Sequence, residues 1–94
     1  MITINQEDDK KHGRFFLEED GFFVGEMTYT WAGESMIIID HTGIEEGHNG
    51  KGFGKQLLMK VVEFARNRGV KIIPLCPFAK ASFKKDTSIQ DVLK

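Results

Sequence analysis

The 94-residue sequence has one cysteine, two prolines, one tyrosine and one tryptophan, and each scarcity excludes something. Cys76 alone can neither close an internal disulfide nor supply a two-cysteine metal site, which fits a reducing compartment. The three scattered histidines, His12, His41 and His48, have no zinc-ligand spacing, so no metal is expected. No apolar run approaches the roughly 18 residues of a membrane span. The opening MITINQEDDK has neither a basic nor an apolar leader segment, so a cytoplasmic protein is expected.

Length allows one domain, residues 1–94, because a chain this short buries only roughly 60–65% of its unfolded surface and can build a single core. Charge is unevenly divided. Residues 1–50 hold three Lys/Arg against eleven Asp/Glu, and residues 51–94 hold ten against three, so a net charge of −1 hides an acidic half and a basic half. Such asymmetry speaks about partners: the basic half suits a polyanion, and the acidic half suits a cationic amine.

The elements expected are β-β-β-β-α-β-α. Ile2–Asn5 alternates as a short strand closed by Glu7, Asp8 and Asp9. Arg14–Glu18 and Phe22–Trp31 flank Glu19-Asp20-Gly21 as a hairpin. Phe15, Phe16, Phe22, Phe23 and Trp31 are read as sheet core. Ser35–Gly43 is the next strand, and its three isoleucines imply burial on both faces. Phe53, Leu57, Leu58, Val61, Val62 and Ala65 then recur on one helical face, predicting a helix from about Gly52 to Arg68 that Gly69 ends. Val70–Ile73 is a last strand stopped by Pro74. A basic helix through Phe78–Lys84 follows, and Asp86 or Thr87 caps a final turn.

Between the isoleucine strand and the long helix lies GHNGKGFGKQLL, residues 47–58. Helix N-termini leave N–H donors unpaired, and glycine lets an anion approach the backbone. A P-loop needs a glycine five residues before Gly-Lys and a hydroxyl residue after it, and neither Gly50-Lys51 nor Gly54-Lys55 complies. A Rossmann fingerprint needs a glycine where Lys55 or Leu57 stands.

Asn49-Gly50-Lys51-Gly52-Phe53-Gly54 resembles the acyl-coenzyme A loop of the GNAT superfamily of N-acetyltransferases. Asn49 stands where Arg or Gln is usual. His41-Thr42, Gly50–Leu58, Ala65 and Lys71–Phe78 together are similar to a small, domain-minimal branch of that family. The resemblance implies an α/β fold (α+β by some schemes): an antiparallel meander, a β-α-β unit and a short C-terminal helical segment. It implies that pantetheine enters between the strands flanking the helix. Gly43, Ile44, Asn49, Gly50, Lys51, Gly52, Phe53, Gly54 and Lys55 would then hold acetyl-coenzyme A, with Lys80, Lys84 and Lys85 near its outer phosphate.

The implied activity is transfer of acetyl to an amine. It requires a base, an oxyanion donor and a proton source for the thiolate. A backbone N–H near Gly43 or Ile44 is the candidate oxyanion donor. His41 and Asp40 are candidate bases, expected on opposite faces of their strand, and His41 is preferred because its unperturbed pKa is roughly 6.5. The alternative for His41 is a buried, backbone-satisfied histidine. The tyrosine that many relatives place after the last core strand as general acid is missing, since Tyr29 lies in the meander. Cys76 occupies that neighbourhood as proton donor, nucleophile or packing residue. The rival reading is a non-catalytic acyl-coenzyme A binding or interaction module. Expected partners are acetyl-coenzyme A and an amine acceptor, with no nucleic acid and no membrane, the chain being a monomer or weak dimer.

Overall fold

The computed structural model describes all of residues 1–94. The chain runs through β1 (Ile2–Asp8), β2 (His12–Glu19), β3 (Phe22–Trp31), β4 (Met36–Ile44), α1 (Phe53–Arg68), β5 (Lys71–Pro74), α2 (Pro77–Lys85) and a 3-10 turn (Thr87–Val92). One sheet holds all five strands in the order β1-β2-β3-β4-β5. The first four are antiparallel, and β5 lies parallel to β4 because α1 carries the chain back across the sheet.

Local chemistry explains the turns. Asp20 and Gly21 both have positive φ, 53° and 87°, the geometry that lets a two-residue loop follow the twist of β2 and β3. At the end of α1, Gly69 adopts φ 69° and its amide neighbour Val70 closes on the Ala65 carbonyl at 3.0 Å, while Arg66 and Arg68 place positive charge at the negative end of the helix. Asp86 starts the last turn by accepting from the Ser88 amide at 2.9 Å. β1 runs further than its alternation suggests: Glu7 and Asp8 continue the strand, paired opposite Arg14 and Gly13.

The core lies on one face of the sheet. Phe53, Leu57, Leu58, Val61, Val62 and Ala65 of α1 are all buried, packed on β2, β3 and β4 with Leu17, Met27, Tyr29, Ile37 and Ile39. Each Leu, Ile or Val so buried contributes roughly 1.5–3 kcal/mol. Ile72, Ala79, Phe83, Ile89 and Val92 extend this core beneath β5, α2 and the final turn.

The opposite face has no covering element, and this overturns two expectations. Ile38, on that face, is only half-buried between buried Ile37 and Ile39. Phe22 and Phe23 are 76% and 41% exposed rather than core. Phe16 and Phe23 instead lie under the Arg14 guanidinium, 4.4 and 5.9 Å from its carbon.

Candidate functional site

The ladder between β4 and β5 pairs only Met36–Ile39 with Lys71–Pro74. Pro74 has no N–H with which to continue it. The amides of Leu75 and Cys76 then both donate to the single carbonyl of Ile39, each at 3.1 Å, and the chain turns into α2. Beyond Ile39 the two strands therefore part, leaving a gap beside Asp40–Ile44. Backbone alternation decides what faces it. The Glu45 amide donates to Val24 on β3 at 2.7 Å, so Gly43, paired with Glu26, also turns its backbone toward β3. The backbone groups of Thr42 and Ile44 point the other way, into the gap.

At the mouth of the gap α1 begins without a cap. Gly52 is its N-cap with φ 79°, no side chain caps it, and no acidic residue occupies its first turn. Gln56 is the first amide bonded back, to Gly52, so the N–H groups of Phe53, Gly54 and Lys55 have no partner within the chain. Gly50 and Gly52 have φ 81° and 79°, and open space surrounds both, so they let the loop turn its amides outward. Gly54 serves a different need. A Cβ there would meet the Phe78 ring at 2.9 Å, so its absence lets α2 close onto α1. The side chain of Phe53 is buried in the core, which leaves only its amide for a ligand, and Asn49 and Lys51 are exposed. Gly47 takes φ 87° in the preceding turn.

These features suit a diphosphate-bearing ligand: unpaired amides, no carboxylate in the first helical turn, and Lys51 and Lys55 beside them. Lys55 also lines a groove with Phe78, Ser82 and Lys85 between α1 and α2. Asp86 shares that groove, its carboxyl held below the usual range by hydrogen bonds from Ser88. Lys80 and Lys84 are exposed outside it.

Cys76 and the pair Asp40/His41 fall on opposite faces of β4. Cys76 is buried at the N-cap of α2, and its thiol donates to Thr42 Oγ1 at 3.2 Å. Thr42 pairs with buried Met27, which marks it as core-facing. Asp40 and His41 do not face opposite ways as strand alternation predicts. A β-bulge opposite Thr28 and Tyr29 inserts Asp40 as an extra residue, so both side chains emerge on the uncovered face. There Asp40 Oδ2 accepts from Thr30 Oγ1 at 2.7 Å, and the His41 ring lies over Gly43, where a Cβ would stand 2.9 Å from Nε2. His41 is exposed, which removes the buried-histidine alternative.

Thr42 and Phe78 lie in segments that carry the family resemblance, but two side-chain contacts had no sequence signal: that of Thr42 with the Cys76 thiol, and that of the Phe78 ring over Gly54. Tyr29 is occupied elsewhere. Its buried hydroxyl donates to Asp8 at 2.6 Å and accepts from Gln6 at 2.7 Å, and burial followed by the Asp8 bond pushes its pKa well up. No group of three or more His, Cys, Asp or Glu side chains is placed to hold a metal, and no helix is long and apolar enough to cross a membrane.

The sequence profile of the GCN5-related N-acetyl-transferase family matches residues 14–92. No curated protein matches the chain significantly. Among solved structures, a GCN5-like protein from Staphylococcus aureus is 38% identical with a TM-score of 0.76, covering 98% of this chain and 87% of its own. The ribosomal-protein-S18-alanine N-acetyltransferase of Escherichia coli has the same TM-score, 0.76, at 13% identity, over 90% of this chain and 76% of its own. A GNAT family acetyltransferase from Elizabethkingia anophelis, solved with acetyl-CoA bound, has a TM-score of 0.71 at 14% identity, over 89% and 72%. The last two are likenesses of fold.

Proposed function

The chain belongs to the GCN5-related N-acetyltransferase family, and on that premise we propose that it moves the acetyl group of acetyl-coenzyme A to an amine held in the gap between β4 and β5. The observation that carries this reading is the juxtaposition of that gap with the uncapped start of α1, whose unpaired amides lie at its mouth.

Bound there, acetyl-coenzyme A supplies an acetyl group as a thioester together with a thiol leaving group. The amides from Gly50 to Lys55, with the Lys51 and Lys55 ammonium groups, hold the diphosphate. Thr42 and Ile44 offer backbone groups to the pantetheine arm. The Ile44 N–H, aimed into the gap, stabilises the charge that develops on the acetyl oxygen. Gly43 contributes by keeping the strand narrow where the His41 ring crosses it.

His41 removes the proton from the attacking ammonium on the uncovered face. On the core-facing side, Cys76 donates its thiol proton to the departing thiolate and is reprotonated from solvent, Thr42 orienting the S–H. The base and the acid thus approach from opposite faces of one strand.

Titration of the protein with acetyl-coenzyme A by calorimetry, followed by incubation of labelled donor with a broad amine panel, tests the reading. Binding and labelled amine are expected. Binding without transfer to any amine would support a non-catalytic acyl-coenzyme A module, and no binding at millimolar donor would refute the cofactor assignment.

A further inference from the structure

The uncovered face of the sheet differs from the rest of the surface in shape, charge and composition. Every fully buried strand residue points toward α1 and α2, so this face meets no other part of the chain. It carries Phe16 and Phe23 toward one end and Ile38 at the other, on strands whose other side is core.

Two depressions are cut into it, on either side of His41 along β4. In the first, Glu7, Asp9 and Asp40 stand around His12 and a single guanidinium, Arg14, the Asp8 carboxylate being turned away to Tyr29 and Trp31. In the second, Glu26 and Glu45 stand beside Phe23 with no cation among the lining residues. Arg14 is already engaged, bonded to Glu7 at 2.7 Å and to Glu26 at 3.0 Å, so it offers little positive charge to a ligand. Asp9 accepts the His12 and Lys11 amides, which hold its carboxyl below the usual range, so it stays ionised at neutral pH. The bulge adds Asp40 to the same face as His41 instead of the opposite one.

We propose that this face binds an extended basic polypeptide segment, whose internal lysine enters the β4–β5 gap beside His41 while basic side chains on either side of it occupy the two acidic depressions. The inference rests on the acetyl-transfer reading of the gap and names its acceptor. Charge complementarity selects the occupant. A small neutral amine would use neither depression, and a bare polyamine would leave Phe16, Phe23 and Ile38 exposed to water. Asp40 and Gly43 are three residues apart on β4, about 10 Å at strand spacing, so side chains two to four residues apart on an extended peptide match the two depressions.

A peptide with blocked ends, one central lysine and flanking arginines, bound to the full chain in the presence of coenzyme A, tests this without requiring turnover. By NMR its shifts should concentrate on Thr28, Thr30, His41 and Gly43, and its affinity should fall at least tenfold on Asp9→Lys with Glu45→Lys. Coenzyme A affinity should not change in that variant. With acetyl-coenzyme A, mass spectrometry should place the acetyl group on the lysine. The proposal is overturned if the peptide shifts α1 and α2 instead, if a Glu-flanked peptide or spermidine binds as tightly, or if only free N-termini are acetylated. It is also overturned if sedimentation shows dimers that Phe23→Ser abolishes, since a second copy would then own the face. Loss of coenzyme A binding by the unmodified chain would instead refute the reading of the gap, leaving the peptide's NMR footprint to be judged by itself.

Discussion

The thiol of Cys76 lies 3.2 Å from the hydroxyl of Thr42, across the point where β4 and β5 separate. The first residue belongs to the N-cap of α2 and the second to the bulged end of β4, so one hydrogen bond joins the two sides of the gap. If Cys76 is the proton donor, Cys76→Ala should lower turnover by about 100-fold or more, the usual range for a positioned acid, with acetyl-coenzyme A affinity unchanged. Stopped-flow turnover and calorimetry separate the two quantities. Intact mass of the wild type with acetyl-coenzyme A should show no acetylated protein, because the thiol gives a proton and does not become acylated.

Gly52→Ala should keep the fold and weaken acetyl-coenzyme A binding. Its φ of 79° costs an L-residue roughly 1–2 kcal/mol, and relief of that strain turns the loop's amides away from the ligand. A dissociation constant raised about tenfold, beside a near-native circular dichroism spectrum, is the expected result.

Gly54 and Phe78 should behave as a coupled pair. A methyl group at 54 stands 2.9 Å from the Phe78 ring, so Gly54→Ala should destabilise by about 1–3 kcal/mol. Adding Phe78→Ala should recover much of that loss. Denaturant unfolding of both single variants and the double variant gives the interaction energy directly.

Gly13→Ala should be costlier. Its Cβ would lie 2.3 Å from Tyr29 Cζ, in a buried ring fixed by Asp8 and Gln6, with no room to retreat. A loss of about 3 kcal/mol or more is expected, and for a domain of this size each kcal/mol lowers the melting temperature by roughly 4–8 °C.

Asp8 sets part of the acid stability. Burial raises its pKa, but bonds from the Tyr29 hydroxyl, the Trp31 indole and the Lys10 amide outweigh burial and hold it below the ordinary value. A depressed folded-state pKa gives stability that is fully present above the unfolded value, roughly 3.9, and is lost as pH falls through the folded one. Urea midpoints measured from pH 7 to pH 2 should therefore fall below about pH 4 in the wild type and fall less steeply in Asp8→Asn.

The long helix was legible in full, because the 3.6-residue period of Phe53 to Ala65 can bury only one way, and Gly69 marks its end. Strand order followed from the hairpin turns and from the single helical crossover. The aromatic residues were less informative. Phe22 and Phe23 have the composition of a buried strand, yet nothing in a local pattern says that helices cover only one side of the sheet. The faces of Asp40 and His41 were misjudged because alternation assumes an unbroken ladder, and a bulge adds one residue without any composition to announce it. The bond between Thr42 and Cys76 escaped notice for a related reason: the two are 34 positions apart, and only the tertiary fold brings them together.

The double use of the Ile39 carbonyl has a kinetic meaning. Because Leu75 and Cys76 both terminate on it and Pro74 cannot extend the ladder, the opening between the strands is cut by covalent chemistry and is present before any ligand arrives. Entry then needs no strand to be unzipped and no lid to swing. The encounter rate should follow diffusion and ionic strength, and affinity differences among acyl donors should appear in how slowly they depart.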